Sequence, residues 1–341
     1  MTVLNLMLGK QRGGLEQAAL DYAEALKLAN IPSITIVAPD AWVQPHLTSA
    51  GVPHETLTQR GAWDIFAARR LRILATLANA TAIICHGNRA LSLALRALKG
   101  DVPILAVSHN YSTRRFVKAD TCLAITQHLA RHLKTHGAKN ITLMPNMVRL
   151  PATARRPDFR SPPVIGTLGR LVAKKGFKNF IEAMSVLRTR NIEFRAILAG
   201  DGEEAETLDA HIARYQLEDI IARPGWVTDR SIFFESIDLF ALPSLHEPFG
   251  IALIEAMSAG VPVISTDSEG PSEILTHNKT GLITKRKDPE AMADAIQELL
   301  ADHARAAALG QAGAAHVASE YSMQAMATRL QSALAPYMAK P

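Results

Sequence analysis

Short β-branched, apolar runs alternate with longer amphipathic segments along the whole chain. In the first half, Val3 to Leu8, Ser33 to Ala38, Ala82 to Cys85, Pro103 to Val107, Cys122 to Ile125 and Ile141 to Met144 look like strands buried in a parallel sheet. Between them, Gly14 to Ala29, Ala62 to Asn79 and Arg89 to Lys99 carry the helical period. The second half repeats the scheme, with strands predicted at Val164 to Leu168, Phe194 to Ala199, Leu239 to Leu242, Val261 to Ser265 and Leu282 to Thr284. Its helices are predicted at Lys178 to Arg190, Ala205 to Tyr215, Ile251 to Ala259 and from Glu290 onward. Such alternation predicts an α/β protein of two doubly wound, Rossmann-like domains. Pro151, Arg155-Arg156-Pro157 and Ser161-Pro162-Pro163 mark the linker, because successive prolines continue neither a helix nor a central ladder. Residues 1–160 are expected to form the N-terminal domain, 161–320 the C-terminal domain and 321–341 a terminal helix.

Composition narrows the class. The chain has 341 residues, 48% hydrophobic and 20% charged, enough for two folded domains and unlike a disordered or low-complexity protein. No run approaches the roughly 18 uncharged apolar residues of a membrane span, and the chain opens on Val3-Leu4-Asn5-Leu6 without a basic leader, so a cytoplasmic location is expected. Cys85 and Cys122 are too few for a disulfide framework or a thiolate metal site and are expected in the core.

Charge is uneven. Residues 1–161 hold 20 Lys and Arg against nine Asp and Glu, a net +11, while the rest of the chain sums to −6. Basic density gathers at Arg69, Arg70 and Arg72, in a helical pattern, and at Arg114, Arg115 and Lys118 after a strand. Such clusters suit a solvated face, an anionic membrane surface or an acidic acceptor. No nucleic-acid-binding motif accompanies them, and nucleic acid is not an expected partner.

Ligands of open α/β sheets bind beyond the carboxyl ends of the strands, so chemistry is sought just after them. Glu247 lies in the loop after the Leu239 to Leu242 strand, and Glu255 falls inside the apolar helix that follows. A buried carboxylate needs an internal donor or the hydroxyls of a ligand. The amides of Phe249 and Gly250, with Ile251 opening the helix, suit an anion or a sugar hydroxyl. Arg170 and Lys175 follow the second half's first strand, where cations fit a diphosphate. Gly200, after the next strand, permits close backbone approach, and the Gly13-Gly14 pair does the same after the first strand. His109 and His86 also follow strands. His128, His132 and His136 recur every four residues, but no carboxylate joins them and no metal site is expected there.

The spacing of Glu247 and Glu255 resembles the E-x7-E signature of the retaining glycosyltransferases of family 4, whose GT-B fold sets two Rossmann-like domains facing a central cleft. The resemblance spans nearly the whole chain. It implies that Glu247 lies by the donor sugar hydroxyls and Glu255 binds the nucleotide ribose. Arg170 and Lys175 match the family's G-R-x4-K-G pattern, which implies the pair that binds the donor diphosphate. Trp226 and Val227 fall in the segment whose backbone reads the base, Gly200 and Gly13-Gly14 in cleft loops, and His109 beside the reactive sugar carbon. Glu273 is expected to stabilise its loop, and the terminal helix is expected to cross back onto the first domain, as in related folds.

The activity so implied is transfer of a hexose from a nucleoside-diphosphate sugar, with a UDP-sugar favoured, to a glycan or lipid-linked acceptor. Bacterial envelope or lipopolysaccharide synthesis is the expected setting, with no metal or other cofactor and with the basic first domain meeting the acceptor or the membrane. A sugar-nucleotide epimerase and a non-catalytic GT-B partner subunit remain as alternatives. A dinucleotide-dependent dehydrogenase is disfavoured, because no G-x-G-x-x-G follows the first strand.

Overall fold

The computed structural model describes residues 1–11, 13–61, 63–151 and 158–338. It divides into two compact units, one running to Met147 and resuming at Met323, the other comprising Val148–Ser322.

The first unit is built on β1 (Thr2–Met7), β2 (Ser33–Val37), β3 (His54–Thr56), β4 (Ala80–His86), β5 (Ile104–Ser108), β6 (Thr121–Ala124) and β7 (Ile141–Leu143). Among the described residues these form one parallel sheet in the order β3-β2-β1-β4-β5-β6-β7. Helices α1 (Gly14–Leu28), α2 (Gln44–Ser49), α3 (Ile65–Leu77), α4 (Gly87–Ala97) and α5 (Gln127–Thr135) connect the strands. The central strands are buried on both faces, with Leu4 opposite Ile34 and Ile83, which is why they are apolar at nearly every position.

The second unit carries β8 (Val164–Leu168), β9 (Arg195–Ala199), β10 (Ile221–Ala222), β11 (Leu239–Leu242), β12 (Val263–Thr266) and β13 (Leu282–Thr284). Its parallel sheet has the order β10-β9-β8-β11-β12-β13. Its helices are α6 (Phe177–Thr189), α7 (Ala205–Arg214), α8 (Arg230–Ser236), α9 (Ile251–Ser258), α10 (Pro271–Ile274), α11 (Pro289–Ala301) and α12 (His303–Glu320). Phe177, Phe180, Met184 and Leu198 are buried in one core with Leu239, Ile264 and Ile296.

The last helix, α13 (Met323–Met338), belongs to the first unit. Met326, Leu330 and Leu334 are buried there with Tyr22, Leu26 and Met144, and Gln331 donates to the Ala29 carbonyl at 3.0 Å.

Several boundaries differ from the sequence reading. The units part at Val148, ahead of the expected proline-rich linker, because the outgoing chain pairs with the returning one: the Val148 N–H bonds the Tyr321 carbonyl at 2.8 Å. Arg155, Arg156 and Pro157 lie outside the described residues. On the far side, Asp238 is fully buried, accepts the Val164 N–H at 2.8 Å and pairs with Arg160 at 2.9 Å, fixing the entry into β8. Helix α3 begins at Ile65 and not at Ala62, itself outside the described residues, because the Asp64 carboxylate accepts the Ala67 N–H at 2.9 Å and caps the helix.

Candidate active site

In the second sheet the strand order reverses direction between β8 and β11. Loops leaving two such strands diverge and open a crevice at their carboxyl ends. The two loops concerned, residues 169–176 and 243–250, are tied together by backbone. The N–H groups of Leu245 and His246 both donate to the Lys174 carbonyl, at 2.8 and 3.1 Å. Gly176 sits at φ 66°, and a Cβ there would lie 2.1 Å from the Pro243 carbonyl oxygen, so only glycine lets the loops approach.

That approach brings the Lys175 ammonium onto the Glu247 carboxylate as an ion pair. Glu247 is buried, and Ser244 Oγ stands 3.4 Å from the same carboxylate oxygen. Arg170 is exposed at the start of the first loop and has no ion pair among the described residues. The site therefore holds one carboxylate already neutralised and one guanidinium open to an anion.

The neighbouring loops close around this pair. Gly200 donates its N–H to the Gly225 carbonyl at 2.7 Å, and a Cβ on it would meet the Gly169 carbonyl oxygen at 1.9 Å, so the chain after β8, after β9 and after β10 runs in contact. Trp226 follows, 52% exposed, then half-buried Val227. Asp229 caps α8 by accepting the Ser231 N–H at 3.0 Å, and Arg230 on that helix forms an ion pair with Glu255. Burial pushes the Glu255 carboxyl above its ordinary range, and the Arg230 guanidinium pulls it partly back. Helix α9 carries Glu255 away from its cap at Gly250, with Ile251 as its first residue. The Phe249 ring is buried, its centroid 5.9 Å from that of Tyr321, so only its backbone is offered to a ligand. Contacts thus join Lys175 to Glu247, Arg230 to Glu255, and Gly225 through Gly200 to Gly169.

Three charged residues of this neighbourhood are absent from the sequence reading. Arg230 is one. Glu269 accepts the Glu247 N–H at 3.1 Å and lies 3.2 Å from His246 Nδ1, while Arg286 donates to it at 3.1 Å. Burial pushes Glu269 up, but hydrogen bonds from its own backbone, from His246 and from Glu247, with Arg286 beside it, outweigh that and leave it lowered. Glu269, four residues ahead of Glu273, is the carboxylate that ties the Glu247 loop. Each of these three acts through a partner distant in sequence, so spacing alone gives no signal of it.

The other candidates lie in the first unit. His109 follows β5; burial pushes its imidazole down to about 4, and its Nε2 is buried with no hydrogen-bond partner among the described residues. His86, which likewise follows a strand, is buried. It is 2% exposed, with Nε2 2.8 Å from Asn5 Oδ1 and Tyr22 edge-on to its ring, so it is a core residue. Gly13 precedes α1, and a Cβ there would meet the Glu16 carboxylate, whereas Gly14 has nothing within 4 Å. His128, His132 and His136 are engaged by hydrogen bonds: His128 with the Tyr111 hydroxyl at 2.9 Å, His132 with the Tyr111 carbonyl at 3.2 Å and His136 with the His132 carbonyl at 2.8 Å. Among the described residues no three His, Cys, Asp or Glu side chains gather as metal ligands.

The chain has counterparts among known proteins. Residues 153–316 match the family model described as Glycosyl transferases group 1. The lipopolysaccharide core biosynthesis glycosyltransferase LpsE of Rhizobium meliloti is 32% identical over 164 residues, 48% of this chain and 47% of that protein. A GDP-mannose-dependent alpha-(1-6)-phosphatidylinositol monomannoside mannosyltransferase of Mycobacterium tuberculosis is 29% identical over 245 residues, 69% of this chain and 62% of that one. The matches to these curated relatives thus span from about half to under two thirds of their length. Among solved structures, Anabaena Alr3699/HepE in complex with UDP superposes with a TM-score of 0.85 at 20% identity, covering 98% of this chain and 100% of that one. The fold is that of the GT-B proteins, two Rossmann-like parallel-sheet domains.

Proposed function

We propose that this chain is a retaining glycosyltransferase of the family 4 type, moving a hexose from a UDP-sugar to an acceptor hydroxyl in bacterial cell-envelope glycan or lipopolysaccharide synthesis. One observation carries the reading: exposed Arg170 shares a loop with Lys175, and Lys175 pairs with Glu247 across the strand reversal of the second sheet. Two cations suit a diphosphate, and the adjoining carboxylate suits sugar hydroxyls. The name of LpsE and the UDP bound to HepE support the setting and the donor; the GDP-mannose in the mycobacterial relative's name makes guanine the competing base.

In this reaction the bond from the anomeric carbon to the diphosphate oxygen breaks and its electron pair leaves with the diphosphate. A bond to the acceptor oxygen forms on the same face of the sugar, and the acceptor proton passes to a phosphate oxygen. Negative charge grows on the leaving group, so fixed cations at Arg170 and Lys175 lower the barrier without a metal ion. Lys175 exchanges the Glu247 carboxylate for phosphate oxygens, which releases Glu247 to the hydroxyls of the hexose. Glu255, steadied by Arg230, takes the ribose, and the backbone at Gly200, Trp226, Val227, Phe249, Gly250 and Ile251 lines the nucleotide. The first unit, which carries His109, Gly13 and Gly14, receives a glycan or lipid-linked acceptor.

Thermal denaturation with UDP, GDP, ADP and their sugars tests the donor. A ligand at about 100 times its Kd adds roughly 2.7 kcal/mol. UDP should shift the transition most, and NMR of the product formed from the matching sugar should show the donor's anomeric configuration. Absence of a shift with every nucleotide, or an inverted product, overturns the proposal.

A further inference from the structure

The outward side of α3 is a feature the core of the first unit does not explain. This helix buries Ala67, Ala68, Leu71 and Ala75 and lies against α4, so its inward face is already satisfied. On the opposite side Phe66 is 86% exposed, Ile73 50% and Leu77 76%, and the spacing of these residues sets them along one stripe. Trp63 and Ile65 are exposed at the helix start. Scattered apolar residues on a surface are ordinary, but five large ones on one helix and its approach form a patch that marks an interaction site.

Charge identifies the partner. Arg69 and Arg70 are exposed beside the stripe and have no acidic partner among the described residues. Arg72 is held by Asp101 at 3.0 Å, and the Arg96 guanidinium lies 4.5 Å over the Trp63 ring. The helix itself contains no acidic residue, since Asp64 is its cap and accepts backbone N–H groups from Arg60 and Ala67. Large apolar residues interleaved with arginines make the surface of a helix that lies in the plane of a membrane interface. A second copy of this chain is a poorer fit, because symmetric pairing would crowd arginines within a half whose net charge is +11. Among the described residues no helix is long and apolar enough to cross a membrane.

We propose that α3 docks the first unit on an anionic phospholipid surface. Phe66, Ile73 and Leu77 enter the acyl boundary, and Arg69 and Arg70 meet the lipid phosphates. The docking is independent of the donor site, which lies in the second unit.

Co-sedimentation of the full chain with vesicles of phosphatidylglycerol and phosphatidylcholine in equal parts tests the inference. The protein should sediment with these vesicles, release them as salt is raised, and ignore vesicles of phosphatidylcholine alone. Arg69→Gln combined with Arg70→Gln should weaken binding about thirtyfold, roughly 1 kcal/mol for each arginine. Phe66→Ser with Ile73→Ser and Leu77→Ser should abolish it. Because every substituted side chain is exposed, both variants should melt with the wild type and keep its nucleotide-induced shift. Failure of the wild type to bind the mixed vesicles overturns the proposal, as does undiminished binding by either variant. So does a lipid-free dimer, seen by sedimentation equilibrium, that the triple serine variant dissolves.

Discussion

Lys175 and Glu247 form an ion pair across the point where the second sheet reverses its strand order, the ammonium belonging to the loop after β8 and the carboxylate to the loop after β11. Both groups are mostly shielded, their side chains 20% and 10% exposed. The lysine is therefore already occupied, and in the proposed reaction an incoming diphosphate replaces the carboxylate as its partner. Lys175→Ala should erase nucleotide-diphosphate binding. Glu247→Gln should instead tighten UDP binding by about fivefold, since a hydrogen bond between a neutral amide and lysine is weaker by about 1 kcal/mol than the ion pair it replaces, while sugar transfer collapses. Calorimetric titration with UDP separates the two; equal affinity in Lys175→Ala and wild type would place the phosphate site elsewhere.

Glu255 and Arg230 present a different balance. Burial raises the Glu255 carboxyl, so at neutral pH the folded protein carries an anion it would rather protonate, and Arg230 limits the cost. Arg230→Met removes that support. Because the guanidinium is over a third exposed, the loss should be about 1–2 kcal/mol, less than for a fully buried pair. The direction with pH follows from the raised carboxyl. The folded state then binds more protons than the unfolded chain above the ordinary carboxyl range, so the deficit is largest at neutral pH and shrinks as pH falls toward about 4.5. Urea midpoints across that range check it, and a deficit that grows on acidification would contradict it.

Gly176 makes the approach of Lys175 to Glu247 possible, and it tests whether the geometry is needed. A Cβ at this position would fall 2.1 Å from the Pro243 carbonyl oxygen in a backbone at φ 66°. Backbone cannot swing aside as a flexible side chain does, and the left-handed conformation adds about 1–2 kcal/mol for any L-residue. Gly176→Ala should therefore cost at least about 2 kcal/mol in chemical denaturation and weaken UDP binding by displacing Lys175. Gly14→Ala, where nothing stands within 4 Å of the new methyl, serves as the comparison and should change stability little. Equal stability of Gly176→Ala and wild type would show that the two loops are not locked together.

Much of this arrangement is legible in the sequence because of how parallel sheets are covered. Strands such as Ile104–Ser108 and Leu239–Leu242 are buried on both faces and so stay apolar without alternation, which betrays them and the loops that follow. Arg170, Lys175, Glu247 and Gly200 are therefore placed beyond the strand ends by pattern alone. β3 is the polar run His54-Glu55-Thr56 and β10 has only two residues, so neither stands out as an apolar strand. Arg230 and Glu269 are invisible for another reason: their partners lie 25 and 22 residues away, and nothing local requires a charge at either position. The unit boundary at Val148 escapes likewise, since it depends on pairing with Tyr321 at the far end of the second unit.

His109 and His86 make acid stability a measure of burial in the first unit. Burial pushes His109 down to about 4, and His86 is pushed well below its ordinary value by burial and then by the charge of His109. Both rings are therefore neutral in the folded protein near neutrality, whereas the unfolded chain takes up protons near pH 6.5. Between about pH 6.5 and 4 the unfolded state binds more protons, so stability rises with pH and is lost as the solution is acidified. For His109 alone the separation between about 4 and the unfolded value near 6.5 amounts to about 3 kcal/mol once the pH lies below both. His109→Gln keeps a polar group of similar reach without a proton to gain, and it should flatten that part of the slope while leaving the His86 part. Urea denaturation of both proteins at about pH 7 and about pH 5 reads the difference directly. A variant that loses as much stability on acidification as the wild type would show that His109 is solvated, and its neutral imidazole would have to be abandoned.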